Sequence, residues 1–288
     1  MLPPTDKNKK KFFTLFLVLF ATFFYLSSCN NHFSKTTIND ESKEWMEAFF
    51  RDLLLVEGGI YTLLGSKPIT QISLETFTEE EKQAYVDSLS KKELENALVI
   101  EDYSLPQHWE KWKKISAQFP LKRYLLLEKE TKEHAKSLYF INIFQTAVTI
   151  EENYEAFRKV VHFDFNPLEV VLEMQDANSK FWEVVEDNDL LKGLLLGYGK
   201  INAYAFFWKY ESASPRIANF MSSLADVQRN DEFIGKVQFS PKNFDIPLFT
   251  SFESNRTTQN KYKQERQAIQ TFYEKKDFVK ATLDILTQ

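Results

Sequence analysis

Apolar positions change their rhythm several times along the chain, and each change predicts an element. Residues 12–25 are an almost unbroken apolar run behind Lys7 and Lys9 to Lys11. From residue 44 the rhythm becomes helical. Trp45, Phe49, Leu53 and Val56 recur on one stripe, widened by Met46, Phe50 and Leu54, until Gly58-Gly59 breaks it. Thr78-Glu79-Glu80-Glu81 and Ser90-Lys91-Lys92-Glu93 are capping-box starts and predict two short helices, while residues 106–117 predict a third that opens with proline. Residues 123–128 and 137–144 are rich in Tyr, Leu, Phe and Ile and predict a hairpin, with one continuous helix as the alternative.

Further on, residues 151–161 read as helix, and Asn166-Pro167 starts another that runs through residue 173. Residues 180–211 are mostly apolar and helical, interrupted at Gly193, Gly197 and Gly199. A helical pair fills residues 262–288, behind a loop around Pro241 and Pro247 that holds a strand over 245–252. The expected class is mainly α with a small antiparallel β element (α+β), in a single globular domain without a repeat of fixed period.

The apolar run ends in Leu26-Ser27-Ser28-Cys29, and Cys29 is the sole cysteine. A cationic start, an apolar centre of about 7–15 residues and small residues at the end describe an export signal, whereas a spanning helix needs about 20 apolar residues. The motif resembles the lipobox of bacterial lipoproteins. That resemblance implies that Leu26 fills the branched apolar position, Ser27 and Ser28 the small positions, and Cys29 the lipid acceptor. Cleavage would fall between Ser28 and Cys29, and the thiol would take a diacylglyceryl thioether. The expected organisation is a signal peptide over 1–28, a polar flexible tether over 29–43 and a mainly helical globular domain over 44–288.

The whole chain carries a formal charge of −5, and the leader, with four lysines and one aspartate, is its most basic part. The mature chain is therefore three units more negative, which argues against nucleic acid as a partner. With Cys29 committed to lipid no thiol remains for a disulfide, so stability must come from the core. Twenty-seven Phe, 12 Tyr and 5 Trp against 7 Gly and 9 Pro favour helices with large apolar faces. Asn255-Arg256-Thr257 fits the glycosylation acceptor pattern of a eukaryotic secreted protein, which beside a lipobox reads as a coincidence.

Two segments carry a second resemblance. Phe50-Arg51-Asp52-Leu53-Leu54 running into Gly58-Gly59-Ile60-Tyr61-Thr62-Leu63-Leu64-Gly65-Ser66-Lys67-Pro68, and Leu194 to Ala203, are similar to uncharacterised lipoproteins of chlamydia-like bacteria. This implies a compartment and no chemistry.

Candidate sites are few. Gly193, Gly197 and Gly199 lack the order of a dinucleotide-binding turn, and Gly65-Ser66-Lys67 has Ile60 where a P-loop requires glycine. His32, His108, His134 and His162 are scattered without a paired-ligand spacing, so neither metal nor cofactor is expected. His162, Asp164 and Glu169 can be drawn as an acid/base group, against the plainer reading of a histidine at a helix end. The aromatics between residues 198 and 210 (Tyr198, Tyr204, Phe206, Phe207, Trp208, Tyr210) read as core or as the lining of an apolar pocket.

The expectation is a lipid-anchored protein of the bacterial cell envelope, facing the periplasm or the outside and held to the membrane through Cys29. Its folded part would be a non-catalytic module for an envelope protein or an apolar ligand. The alternatives are an envelope hydrolase that uses carboxylates such as Asp164 and Glu169, and a structural spacer.

Overall fold

A computed structural model describes residues 40–74, 104–130, 136–227 and 239–288, together with Glu80, Ala84 and Asp87. The lipobox Leu26-Ser27-Ser28-Cys29, His32, His134 and the capping boxes at Thr78 and Ser90 lie outside the described residues. Helix α1 (Asp40–Phe50) runs directly into a π-helical segment, Arg51–Val56, and then α2 (Ile60–Leu63) and strand β1 (Ile69–Ser73). Helix α3 (Leu105–Ile115) precedes β2 (Tyr124–Glu130) and β3 (Lys136–Asn142). Five helices follow: α4 (Ile143–Glu152), α5 (Tyr154–Val161), α6 (Pro167–Leu172), α7 (Lys180–Glu186) and α8 (Asp189–Leu195). The chain then forms α9 (Lys200–Glu211), α10 (Pro215–Leu224), β4 (Asp226–Val227), β5 (Thr250–Ser251), α11 (Thr257–Tyr273) and α12 (Phe278–Leu286). The class is thus mainly α with a small antiparallel sheet, as the patterning predicts.

The expected hairpin is present. β2 and β3 pair antiparallel with Leu126 opposite Phe140, and β1 joins the other edge of β3 with Ile69 opposite Ile141. Alternation along the central strand β3 sends successive side chains to opposite faces. Tyr139 and Ile141 enter a core with Phe157, Phe181 and Leu191, from α5, α7 and α8. Phe140 faces the other way and stacks on Tyr124, 5.5 Å between ring centroids. On α1 and α3, Phe49 stacks on Trp112 at 5.4 Å and Phe50 meets it edge-on at 5.6 Å, pairs worth about 0.5–1.5 kcal/mol each beyond area burial.

Several boundaries differ from expectation for identifiable reasons. Helix α1 opens at Asp40 rather than Glu44, so residues 40–43 are helix and not tether. Lys43 ties that first turn to Asp277 at 2.5 Å, a contact across most of the chain. Residues 143 and 144 are helical, because the Asn142 side chain accepts from the Gln145 amide and caps α4. The 180–211 stretch breaks at Asn188, whose side chain caps α8, and Gly193 sits inside that helix. Gly193 is small because Ala203 of α9 crosses at this point, leaving a Cβ only 3.0 Å from the alanine Cβ. Gly197 and Gly199 do break the chain, at φ 78° and 83°, so close packing and a helix break account for all three. Of the strand expected over 245–252 only Thr250–Ser251 pairs, with β4, since Pro247 brings no N–H to a ladder. Strand β1 and helix α10 are additional to the sequence-based expectation.

Candidate functional site

One side of α1 and one side of α3 line an open groove of about 590 Å³, to which residues 239–241 and Phe278 also contribute. Glu44, Trp45, Ala48 and Arg51 recur at helical spacing on the first wall, and Ser104, His108 and Lys111 do the same on the second. Arg51 opens the π-helical segment. Such insertions are rare and concentrate at functional sites, because the extra residue re-aims the side chains beyond it.

Below the groove lies Asp52, fully buried. Its carboxylate accepts from Arg51 Nε at 3.1 Å and Nη2 at 3.0 Å, and from the Ser104 amide at 2.9 Å. The Ser104 hydroxyl lies 3.4 Å from Asp52 Oδ2 and 2.9 Å from His108 Nδ1. The order is therefore carboxylate, serine, imidazole. A serine hydrolase places its imidazole between the other two, where the carboxylate orients the base. Here the carboxylate instead fixes Ser104 at the start of α3 and, through it, the His108 ring. Burial, with Lys111 and Arg51 close by, lowers the His108 pKa below its ordinary 6.5, against an opposing pull from Asp52. The groove is lined by the basic Lys111 and the Asp52-paired Arg51, by the acidic Glu44 and Glu47, and by Trp45 and Phe239 as apolar surface.

None of this was visible in the linear pattern. Asp52 and Ser104 are 52 positions apart, and His108 looks isolated until α3 meets α1. The one local signal is Ser104 followed by Leu105-Pro106, a helix start.

The acid/base group proposed from sequence is placed differently. His162 closes α5 in a left-handed conformation, φ 64°, as a helix-end histidine. Asp164 binds Arg158 at 2.7 Å, and Glu169 stands in the first turn of α6. All three are exposed, and no hydrogen bond among the described residues joins His162 to Asp164. Ser66, in the P-loop-like segment, points its amide at the Glu265 carboxylate, 3.2 Å away, where a phosphate would be repelled. Its neighbour Lys67 is buried, and desolvation pulls its pKa down to about 8. Among the described residues there is no cluster of His, Cys, Asp and Glu arranged to hold a metal ion. No helix among them is long and apolar enough to cross a membrane. Asn255 receives the Thr257 amide at 3.4 Å, a local turn before α11.

The aromatic helix is core on one flank and exposed on the other: Tyr204 and Phe207 pack, partly buried, against the main hydrophobic core. The inner side of α9 carries small residues, Asn202, Ala203 and Ala205, because α8 crosses so closely. The large rings are displaced to its flanks. Tyr198, just before the helix, stacks on Phe249 at 5.5 Å, whereas Trp208 and Tyr210 remain exposed. Trp208 lines a shallow apolar cleft of about 470 Å³ with Arg216, Ile217, Phe220 and Met221 of α10.

The chain matches no protein-family model, no curated protein and no solved structure.

Proposed function

We propose that the chain is a lipid-anchored protein of the bacterial envelope whose folded part binds a short peptide segment in the α1–α3 groove without transforming it. The tether is read from Leu26-Ser27-Ser28-Cys29, where a diacylated cysteine would hold the protein on a bilayer far more firmly than one chain does. The observation that carries the binding reading is the groove itself, in which two helix faces place cations, carboxylates and aromatic rings around about 590 Å³. That volume falls in the range of ligand pockets, about 300–1,000 Å³. A peptide supplies the matching chemistry: a carboxylate for Lys111, an ammonium or basic side chain for Glu44 and Glu47, and apolar side chains for Trp45 and Phe239.

Titration of the protein with a library of zwitterionic tetrapeptides, read by isothermal calorimetry, tests this reading. Saturable binding is expected for a subset of sequences, with a loss of at least tenfold in Lys111→Glu. Absence of binding across the library, or equal binding by the variant, contradicts it.

A further inference from the structure

We infer that the α9–α10 pair is a membrane-contacting face, which lies in the headgroup region of an anionic bilayer. The inference extends the lipid-tether reading, since a tether at Cys29 would keep the folded part within reach of a bilayer.

Helix α10 has no buried residue. Its apolar side chains Ile217, Phe220, Met221 and Leu224 nevertheless recur at i, i+3, i+4 and i+7, the spacing of an amphipathic helix with one apolar stripe. Phe220 is 58% exposed and Trp208 on the adjoining α9 is 47% exposed. An apolar stripe of this kind left in water marks an interaction surface.

Charge selects the occupant. In a chain of net charge −5, α10 has one charged residue, Arg216, and no carboxylate. On α9, Lys200 adds a cation, and Lys209, whose ammonium lies 4.8 Å over the Tyr210 ring, a second, against Glu211. Trp, Tyr, Arg and Lys around an apolar stripe make up the chemistry of interfacial helices, with rings at headgroup depth and cations against lipid phosphates. A second exposed apolar face has the opposite sign. Phe144 and Val148 of α4 and Leu168 and Leu172 of α6 are exposed alongside Glu151, Glu152 and Glu169, and an anionic surface would repel that face. The carboxyl-terminal helices also carry cations, but there Arg256 pairs with Asp226 and Arg266 faces Asp245, and α11 and α12 expose no large apolar side chain beside them.

The full chain, reconstituted in phosphatidylethanolamine–phosphatidylglycerol vesicles with brominated acyl chains, gives a direct test. The segment 1–39 contains no tryptophan, and Trp208 is the one tryptophan among the exposed large hydrophobics. Its quenching therefore reports this face and not the anchor. Strong quenching is expected, falling at least twofold in Trp208→Phe, in Arg216→Glu and in all-phosphatidylcholine vesicles, and unchanged in Phe144→Ser. Equal quenching in wild type and Trp208→Phe, or none in either, overturns the inference. Mass spectrometry of Cys29 in the same sample reads the tether separately. A lipidated but unquenched protein rejects the face and keeps the anchor, and an unlipidated but quenched one does the reverse.

Discussion

Replacing Asp52 by alanine removes the group that joins the two walls of the groove. Its buried carboxylate accepts from two guanidinium nitrogens at 3.0 and 3.1 Å and from the Ser104 amide at 2.9 Å. Breaking a buried ion pair from one side costs about 3–5 kcal/mol, because a charge is left without its partner. Arg51 retains 30% of its side-chain exposure, so water can rehydrate it and the cost should sit near the lower bound. Loss of the hydrogen bond from the Ser104 amide adds roughly 1 kcal/mol, some of it likewise recovered from water. A loss of about 3–4 kcal/mol is expected in urea unfolding, as a lower midpoint at unchanged slope. Asp52→Asn keeps the volume and one acceptor and should recover about half of it. The groove should suffer as well, since Ser104 and His108 lose their anchor, and tetrapeptide binding should weaken in step. If Asp52→Ala loses less than about 1 kcal/mol, the carboxylate does not organise this site and the reasoning fails.

Three further outcomes follow from other residues. Lys67→Met should stabilise the protein: the native amine titrates at about 8 and an unfolded one near 10.5, so burying its charge at pH 7 costs roughly 3 kcal/mol. The unfolded state holds more protons between those values, so wild-type stability rises with pH and the advantage of the variant should shrink from pH 7 to pH 10; a pH-independent difference in denaturant unfolding contradicts this. Gly197→Ala should cost about 1–2 kcal/mol in the same assay, because φ is 78° and the new Cβ collides with the Tyr262 hydroxyl that donates to the Gly197 carbonyl; a neutral substitution would refute the close approach. Glu128 is held down to about 2, first by the Trp109 indole N–H at 2.8 Å and then by Lys136 and Lys113. Trp109→Phe should move its titration up toward 4.5 in a carboxyl NMR experiment, and an unmoved curve would show that the lysines alone suffice.

Much of the fold was legible because local chemistry and tertiary packing agree. The stripe Trp45, Phe49, Leu53 predicts α1 and its continuation, and residues 123–128 against 137–144 predict the hairpin, though its second strand ends at Asn142. Asn166-Pro167 predicts α6, whose cap is in place. What periodicity could not show is set by contacts between distant residues. Strand β1 exists because β3 accepts it some seventy positions later. The start of α1 depends on Lys43 meeting Asp277. The aromatic side chains of residues 198–210 look like core in isolation. Gly193 against Ala203 brings α8 and α9 too close for rings between them, so Tyr204 and Phe207 reach the core only partly buried and Trp208 and Tyr210 stay exposed. The groove was illegible for the same reason, since each of Asp52, Ser104 and His108 is unremarkable until the two helices meet.

The most direct test of the proposed function is the intact mass of the native protein extracted from the envelope of the cells that make it. The account predicts a polypeptide that begins at Cys29 and carries diacylglyceryl on its sulfur, with residues 1–28 removed. A chain that starts at Met1 with a free thiol at Cys29 would contradict it.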